Sequence, residues 1–318
     1  MHPVLASFPF LGVGLLTCAL IVLFIVRLPL QDRFGARGLA LAVLIAASVA
    51  ALAAASGLVA WHGHLIVTSY AATLVVGFLA AFALAWPRMR VRSLDPTHLR
   101  PIVMLALLLG MAGARARYAW ENPASFRHDD GSLDVRALLD LDAGGMVWYG
   151  GLLFAAFGIV LYAWRQRLSI LTLADALAPS IALGLAIGRI GCFLNGCCYG
   201  RPTTLPWAVT SPHPPHEHIH PTQLYETVAG VVLCAALLLI DRVRPRRGLI
   251  AAWFCIGYGC WRFVNEGLRN DYRHAGTLNQ FASHVLTNSQ VTSIVLVAFG
   301  VGLAIWAWTR DQDPLPTR

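Results

Sequence analysis

Long apolar segments dominate the chain and are separated by short polar loops. About nine of them are long and apolar enough to cross a membrane, where a helix needs about 20 apolar residues. The fourth and seventh are short for a full span, so we expect each to extend into its flanks or to line a polar cavity. The pattern predicts an all-α fold, a polytopic membrane bundle of about nine transmembrane helices. The segments lie near residues 10–26, 38–60, 65–87, 101–114, 147–164, 174–194, 227–240, 249–264 and 291–308.

The composition agrees with a membrane protein and narrows the possible partners. Apolar residues make up 57% of the 318 residues and charged residues only 13%, and the mean hydropathy is +0.63. The net charge is +8, and all 24 basic residues are arginine. Basic residues of membrane proteins collect in cytoplasmic loops, so this charge indicates topology, and no nucleic-acid partner is predicted. The N-terminus has neither a basic region nor a cleavage site, so we expect the first apolar segment to stay in the mature protein.

Arginine is concentrated in every second loop. The loops at 27–37 and 88–100, the turns after the fifth and seventh segments, and the C-terminal tail carry most of it. The positive-inside rule then predicts an outside N-terminus and an inside C-terminus. The longer loops, near 115–146, 195–226 and 265–290, face outward in this topology. Because they hold the unusual polar residues, function is predicted at the outer face of the membrane.

One arginine stands near the end of the sixth apolar segment, where a charge is costly. It is Arg189, within the run Gly-Arg-Ile-Gly-Cys-Phe-Leu-Asn-Gly-Cys-Cys-Tyr-Gly of residues 188–200. An arginine in a membrane helix costs roughly 2.5 kcal/mol or more at the bilayer centre. Three thiols follow: Cys192, Cys197 and Cys198. In an oxidising location, a disulfide from the first to one of the others is the leading interpretation. Unbonded structural thiols, a metal site, or a thiol that carries an acyl or alkyl group are the alternatives.

A second polar set lies in the eighth segment. Four of its residues recur at spacings of four, four and three, which places them along one helix face. They are Tyr258, Arg262, Glu266 and Arg269. Under the predicted topology this face lies at the same membrane level as Arg189. Arginine presents a planar fork of donors that suits phosphate or carboxylate, so the two helices predict a site for an anionic lipid headgroup. The alternative is an Arg262–Glu266 ion pair that only pins two helices together.

Further candidates stand at the outer ends of other segments. Tyr149 lies between two Gly-Gly pairs, which suggest tight packing around a presented phenol. A tyrosine of the interfacial belt fits equally well. Tyr70, taken alone, favours packing over chemistry, and Arg115 adds to the positive field. Four histidines within 211–220 are candidate zinc ligands, but the proline-rich setting disfavours a rigid tetrahedral site, so no metal site is predicted there.

Several ordered motifs together resemble the bacterial prolipoprotein diacylglyceryl transferase family. The resemblance covers roughly residues 65–308. It implies a seven-helix core at 63–310, preceded by an extra two-helix segment at 1–62. Residues 311–318 are expected to form a disordered cytoplasmic tail. The motifs are Thr68-Ser69-Tyr70, Gly-Gly-Met…Gly-Gly at 144–151, Asp175-Ala176…Ala178-Pro179, the run from Gly188 to Arg201, His-Pro-Thr-Gln-Leu-Tyr-Glu at 220–226, and Gly257-Tyr258-Gly259 with Arg262, Glu266 and Arg269.

The family moves the diacylglyceryl group of phosphatidylglycerol onto the thiol of a lipobox cysteine in a preprolipoprotein, and glycerol-1-phosphate leaves. The resemblance implies that Arg189 and Arg262 hold the phosphate and that Tyr149 takes or relays the thiol proton. It implies no metal and no cofactor. The implied partners are phosphatidylglycerol, preprolipoprotein signal peptides and membrane lipid, at the outer leaflet of the bacterial inner membrane. The residues with implied substrate contacts are Tyr70, Arg115, Asn195, Gly200, Tyr258, Glu266 and Arg269.

Three positions depart from the family pattern. Tyr149 stands where the family has histidine, Cys192 where it has asparagine, and Cys197 where it has glutamate. A phenol is a poorer general base than imidazole at neutral pH. The paired change to cysteine is consistent with one disulfide in place of a polar brace. Two alternative functions therefore stay open: a paralogue that acts on another acceptor, and a lipid-binding or transport protein without chemistry.

Overall fold

A computed structural model of the chain describes residues 69–309, except 128–131, 133, 140–144, 146, 211–216, 244–245 and 271–285. Seven long helices and one short helix make up most of this part. Two 3₁₀ turns, Pro96–His98 and Pro123–Phe126, flank the second long helix. The only strands in the described ranges are β1, Val209–Thr210, and β2, His218–Ile219, which pair antiparallel. The helices are α1 Ser69–Val91, α2 Leu99–Glu121, α3 Val135–Leu139, α4 Trp148–Arg165, α5 Ile170–Leu194, α6 Thr222–Asp241, α7 Leu249–Leu268 and α8 Asn288–Thr309.

The helices confirm a polytopic helical membrane protein. Five spans are long and apolar enough to cross a bilayer by length and composition: Ala72–Val91, Pro96–Glu121, Ile170–Leu194, Thr222–Asp241 and Ser289–Thr309. A shorter apolar helix covers Tyr149–Arg165. The two segments predicted to be short do extend into their flanks, as α2 and α6. The predicted helices near 10–26 and 38–60 and the tail at 311–318 lie outside the described residues.

Helix packing brings the ends of neighbouring helices together. α1 packs on α5, α2 on α4, α5 on α6 and α7, and α7 on both α6 and α8. Since α5, α6, α7 and α8 alternate in direction, the C-terminal ends of α5 and α7 meet the N-terminal ends of α6 and α8. An apolar cluster joins the α2–α4 pair to α1 and α5; its buried members are Met89, Ile102, Ala163, Leu173 and Ala176.

Glycines allow the backbones of α2 and α4 to contact each other directly. A Cβ added at Gly113 would lie 2.5 Å from the Gly150 carbonyl oxygen and from the Phe154 side chain. Gly151 faces Gly110 one turn away. Such small residues allow close contact between membrane helices, where packing replaces the hydrophobic drive. This confirms the prediction that the glycine pair beside Tyr149 packs tightly.

A buried ion network fixes the opposite end of the bundle. Arg88 and Arg92 of α1 both pair with Asp241 at the end of α6, and Arg92 also lies 3.3 Å from Asp175 of α5. The Asp175 carboxylate accepts hydrogen bonds from the backbone N–H groups of Gly248, at 2.7 Å, and Ala251, at 2.9 Å. It therefore caps the start of α7, where the N–H groups have no partner within the helix. Four helices are tied together at this point.

Candidate functional site

The end of the bundle that carries Arg189 holds a cluster of charged side chains from several helices. Nη2 of Arg189, in the penultimate turn of α5, lies 3.1 Å from Oε1 of Glu226, one turn into α6. Arg189 also interacts with the Tyr258 hydroxyl of α7. A charge inside a membrane helix is stabilised when it meets a charge of opposite sign. The acidic partner of Arg189 thus comes from another helix rather than from its own.

Arg262 joins the same cluster from α7. Its Nη1 lies 3.4 Å from Oε2 of Glu226, and its Nη2 lies 2.6 Å from Oε2 of Glu266. Its Nη2 also donates to the Ser289 hydroxyl, at 3.3 Å, in the first turn of α8. Arg269 pairs with Glu266 at 3.4 Å. Tyr258, Arg262 and Glu266 lie on α7 as predicted, whereas Arg269 lies just past the end of the helix, in extended backbone, and still pairs with Glu266. Glu226 bridges Arg189 and Arg262.

Exposure distinguishes the arginines of this cluster from its acids. The side chains of Arg189, Arg262 and Arg269 are 12–19% exposed, whereas those of Glu226 and Glu266 are 5% exposed. The two acids are thus the more buried members of the cluster. Three positive and two negative side chains leave these five residues with a net charge of +1. Each guanidinium has five N–H donors, so the cluster has both charge and donors for an anion.

A buried asparagine fixes the bridging glutamate. Nδ2 of Asn265 donates to Oε2 of Glu226, at 3.1 Å, and to the carbonyl of Thr222, at 3.2 Å. Asn265 is 1% exposed, on the side of α7 that faces α6. Below this contact, Glu226 and Tyr258 line a small cavity of about 30 Å³ between α5, α6 and α7, otherwise lined by apolar residues and glycines. The carboxylate is held in place before any anion arrives, which is the kind of preorganisation that ligand recognition requires.

Gly200 brings three chain segments together at the edge of the cluster. Its N–H donates to the carbonyl of His220, at 3.0 Å, and it forms an isolated bridge with Arg269. A Cβ at this position would lie 2.6 Å from both the Cβ and the carbonyl oxygen of His220. Only glycine permits this approach. Gly200 therefore positions the backbone of Arg269.

The three thiols lie together beside Arg189. The Sγ atoms of Cys192, Cys197 and Cys198 are all within 4.8 Å of one another, and all three residues are partly buried. None of them forms a disulfide in this structure. Tyr70 of α1 lies near all three thiols and near Arg189, and its ring would lie 3.2 Å from a Cβ added at Gly191. The predicted proximity of the thiols is present, but the predicted disulfide is not formed.

Comparisons with known proteins match this chain over most of its length. The family model described as prolipoprotein diacylglyceryl transferase matches residues 57–306. The chain belongs to this family. A relative from Methylococcus capsulatus is 34% identical over 254 residues, which are 78% of this chain and 94% of the relative. A relative from Finegoldia magna is 33% identical over 246 residues, which are 77% of this chain and 90% of the relative. Both are named phosphatidylglycerol–prolipoprotein diacylglyceryl transferase.

Membership in the prolipoprotein diacylglyceryl transferase family confirms the resemblance inferred from the motifs. It also confirms the predicted class, a transferase of lipoprotein biosynthesis in a membrane. A further relative, from Bordetella bronchiseptica, is 33% identical over 250 residues, which are 77% of this chain and 92% of the relative, and it carries the same name. The extra N-terminal residues of this chain lie before the matched region.

Tyr149, which replaces the histidine of the family pattern, lies in the first turn of α4. Its side chain is 37% exposed, and its hydroxyl accepts a hydrogen bond from Thr292 of α8, at 3.4 Å. Thr292 stands one helical turn after Ser289, so the two share a face of α8. Because Arg262 donates to Ser289, Tyr149 and Arg262 contact neighbouring positions of the same helix. Its role in proton transfer stays a prediction.

Arg115 is engaged elsewhere. Its guanidinium donates to the carbonyls of Ala137, at 2.6 Å, Leu138, at 3.0 Å, and Gly145, at 3.0 Å, and it stacks over Phe126 at 4.9 Å. These bonds hold the segment between α2 and α4. Substrate binding by Arg115 stays a prediction, but the contacts observed are those of a residue that orders a loop.

The acidic partner of Arg189 comes from α6, and the residues near Arg189 in the sequence do not identify it. The run 220–226 was expected to place polar residues at the same membrane level, and Glu226, one turn into α6, lies there. Asn265 was missed altogether, since a single amide inside an apolar helix has no recognisable spacing. Asn195 is found at the end of α5, where its N–H donates to the carbonyl of Gly191, at 2.9 Å.

Proposed function

We propose that this chain transfers the diacylglyceryl group of phosphatidylglycerol to the thiol of a lipobox cysteine in preprolipoproteins. The observation that carries the proposal is the pair Arg189 and Arg262, which reach one point from two helices and share the carboxylate of Glu226. Two guanidinium groups at one membrane level suit a phosphodiester, which carries one negative charge. The names of the relatives supply the identity of both substrates.

The charge change in the reaction fits a cluster with excess positive charge. The thiolate sulfur attacks the glyceryl carbon that bears the phosphate, a C–S bond forms, and the C–O bond to the phosphate breaks. The departing glycerol-1-phosphate then carries a second negative charge that the diester lacked. Arg189 and Arg262 stabilise this charge as it develops, which lowers the barrier because the interaction is stronger in the transition state than in the ground state.

The thiol proton must leave before or during the attack, since the thiolate is the nucleophile. We assign its relay to Tyr149, at the α4–α8 contact: the hydroxyl takes the thiol proton and releases its own to solvent, to which the side chain is 37% exposed. Glu226 is the carboxylate that pairs with both phosphate-binding arginines. Glu266, one turn further along α7, orients Arg262, and Arg269, just past the end of the helix, holds Glu266. Tyr70, Asn195, Gly200 and Tyr258 complete the proposed substrate contacts.

The site is proposed to lie at the outer leaflet of a bacterial inner membrane, with the N-terminus outside and the C-terminus inside. The arginine-rich loops support this orientation by the positive-inside rule. The lipid enters sideways from the bilayer, and the signal peptide of the preprolipoprotein approaches in the same plane. Residues 1–62 are proposed to add two helices outside the core at 63–310.

Complementation tests the proposal. In a host depleted of its own diacylglyceryl transferase, expression of this chain should restore growth and produce lipoprotein with the mass of one added diacylglyceryl group. The matched control is Arg262→Gln, which keeps a polar side chain but removes the guanidinium, and it should abolish the mass shift at equal membrane insertion.

Two other results of this experiment would distinguish the two alternative functions. A lipid adduct on another acceptor, with unmodified lipoprotein, would indicate a paralogue. Phosphatidylglycerol binding by the purified protein without any adduct would indicate a binding or transport protein. Either result, from a well-inserted chain, overturns the proposed reaction.

A further inference from the structure

The thiol cluster at the end of α5 is built by three separate sets of contacts. The Cys197 N–H donates to the carbonyl of Cys192, at 3.1 Å, which folds the turn back on the last turn of the helix. Thr222 donates to the carbonyl of Cys198, at 2.8 Å, and Gln223 donates to the carbonyl of Cys197, at 2.6 Å. The N-terminal turn of α6 therefore holds this backbone while the thiols gather beside Cys192.

The backbone of the turn takes a conformation that non-glycine residues seldom adopt. Gly196 has φ of 70° and Cys198 has φ of 62°. For a cysteine this left-handed conformation is unfavourable and persists only where the surroundings determine it. The result is a set of three sulfur atoms, each within 4.8 Å of the other two.

From this geometry we infer that Cys192, Cys197 and Cys198 form a binding site for a soft metal ion, Cu(I). A metal–sulfur bond of about 2.3 Å, in a planar arrangement of three ligands, requires sulfur atoms about 4.0 Å apart. The observed separations reach this with shifts of less than about 1 Å. A disulfide would bond two of the sulfurs at about 2.05 Å and leave the third without a function.

The ligand set decides which ion fits. Thiolates select Cu(I) and Zn²⁺ over harder ions. Structural zinc almost always has four ligands, whereas among the described residues this group consists of three thiols only. Three soft donors satisfy Cu(I), which accepts threefold coordination.

One positive charge lies beside the thiols. Three thiolates around Cu(I) carry a net charge of −2. The guanidinium of Arg189 lies near Cys192 and Cys198. Arg189 thus offsets part of the negative charge of the complex. The inference does not depend on the transferase activity, because it concerns only the sulfur atoms and their neighbours.

The test uses the full chain, purified in detergent under anaerobic and reducing conditions. It is titrated with Cu(I) in competition with a coloured Cu(I) chelator. One Cu(I) per chain should be retained, and X-ray absorption at the copper edge should show three sulfur neighbours. Cys192→Ser, Cys197→Ser and Cys198→Ser should each weaken binding at least tenfold. The control Cys260→Ser removes an exposed thiol of α7 outside the cluster and should leave the affinity unchanged.

Several results would overturn the inference. These are failure to retain Cu(I), equal loss in the Cys260→Ser control, or tighter retention of Zn²⁺ than of Cu(I) by the same thiols. A quantitative disulfide between two of the three cysteines, in protein isolated anaerobically from cells, would overturn it too. A melting curve for each variant shows whether it is folded, and the three single variants keep the test decisive if one of them fails to fold.

Discussion

Asp175 is predicted to be one of the most sensitive positions for stability, and Asp175→Asn is the perturbation that tests it. The aspartate is fully buried, pairs with Arg92 and caps α7 through Gly248 and Ala251. Asparagine keeps the shape but removes the charge and one acceptor oxygen. Removing one partner of a buried ion pair costs about 3–5 kcal/mol. Arg92 still pairs with Asp241 in this variant, so we expect the cost of the lost Asp175 charge to lie at the low end of that range. A lost cap adds about 1 kcal/mol.

The predicted total is therefore about 3–4 kcal/mol. It is measured by reversible unfolding of the full chain in mixed micelles with increasing denaturing detergent. The matched control is Asp95→Asn, which also removes one aspartate charge from a capping residue, because the Asp95 side chain accepts from the Thr97 N–H. That hydrogen bond lowers the pKa of Asp95, so the carboxyl is ionised at neutral pH and the charge loss is equivalent. Its side chain is exposed, and we expect little change.

A double variant separates charge from packing. If the cost of Asp175→Asn comes from an uncompensated Arg92, then Asp175→Asn with Arg92→Met should recover part of the lost stability. A loss below about 1 kcal/mol in the single variant would refute the reasoning, since buried pairs are not expected to be that weak. Strictly additive losses in the double variant would also refute it, because they would mean that the two groups do not interact.

Four further substitutions test the site and the contacts that hold it in place. Arg189→Lys keeps the charge but loses the planar guanidinium, which can donate two parallel hydrogen bonds. It should lower the transfer rate about tenfold or more, since each charged hydrogen bond contributes about 1.5–3 kcal/mol. A rate near that of the wild type would indicate that Arg189 has only a structural role. Tyr149→His should raise the rate near neutral pH, because imidazole is the better base there, and a pH–rate profile without a new ionisation would contradict this. Gly200→Ala should cost about 1–3 kcal/mol through overpacking against His220, whereas Gly267→Ala, with nothing within 4 Å of the added Cβ, should cost little in the same unfolding assay. Arg115→Met should lose about 2 kcal/mol of stability with its loop hydrogen bonds; a raised KM for phosphatidylglycerol at unchanged stability would instead restore its predicted role in substrate binding.

The sequence was sufficient for the features that depend on local spacing. The Arg262–Glu266 contact follows from the period of the helix alone, and the structure confirms it. Arg269 was expected on the same helix face, but the helix ends at Leu268, and Arg269 reaches Glu266 from extended backbone. The glycine pair beside Tyr149 predicted a close helix contact because glycine has no side chain to separate the two backbones. Membrane spans follow from apolar runs because every backbone group in lipid must be bonded within its own helix.

Features that depend on which helices are neighbours could not be predicted from the sequence. Glu226 is 37 positions from Arg189, so no periodicity connects them, and only the packing of α5 on α6 does. The same holds for Asp175, whose partner Arg92 is on α1 and whose capped N–H groups begin α7. Family motifs narrowed the choice of residues, but they do not state which side chain touches which.

The two ends of α5 use the same kinds of residue for different purposes, and burial explains the difference. At one end two arginines and two aspartates balance, and the side chains of Arg88 and Arg92 are 10% and 1% exposed. The charges of this end are paired with one another, so the network contributes to stability. At the other end the arginines outnumber the acids, and Arg189 is 19% exposed while Glu226 behind it is 5% exposed. A positive excess that faces outward from a fixed carboxylate is costly in a membrane unless an anion completes it. This imbalance, more than the presence of arginine, supports the proposed binding of a lipid phosphate at this end.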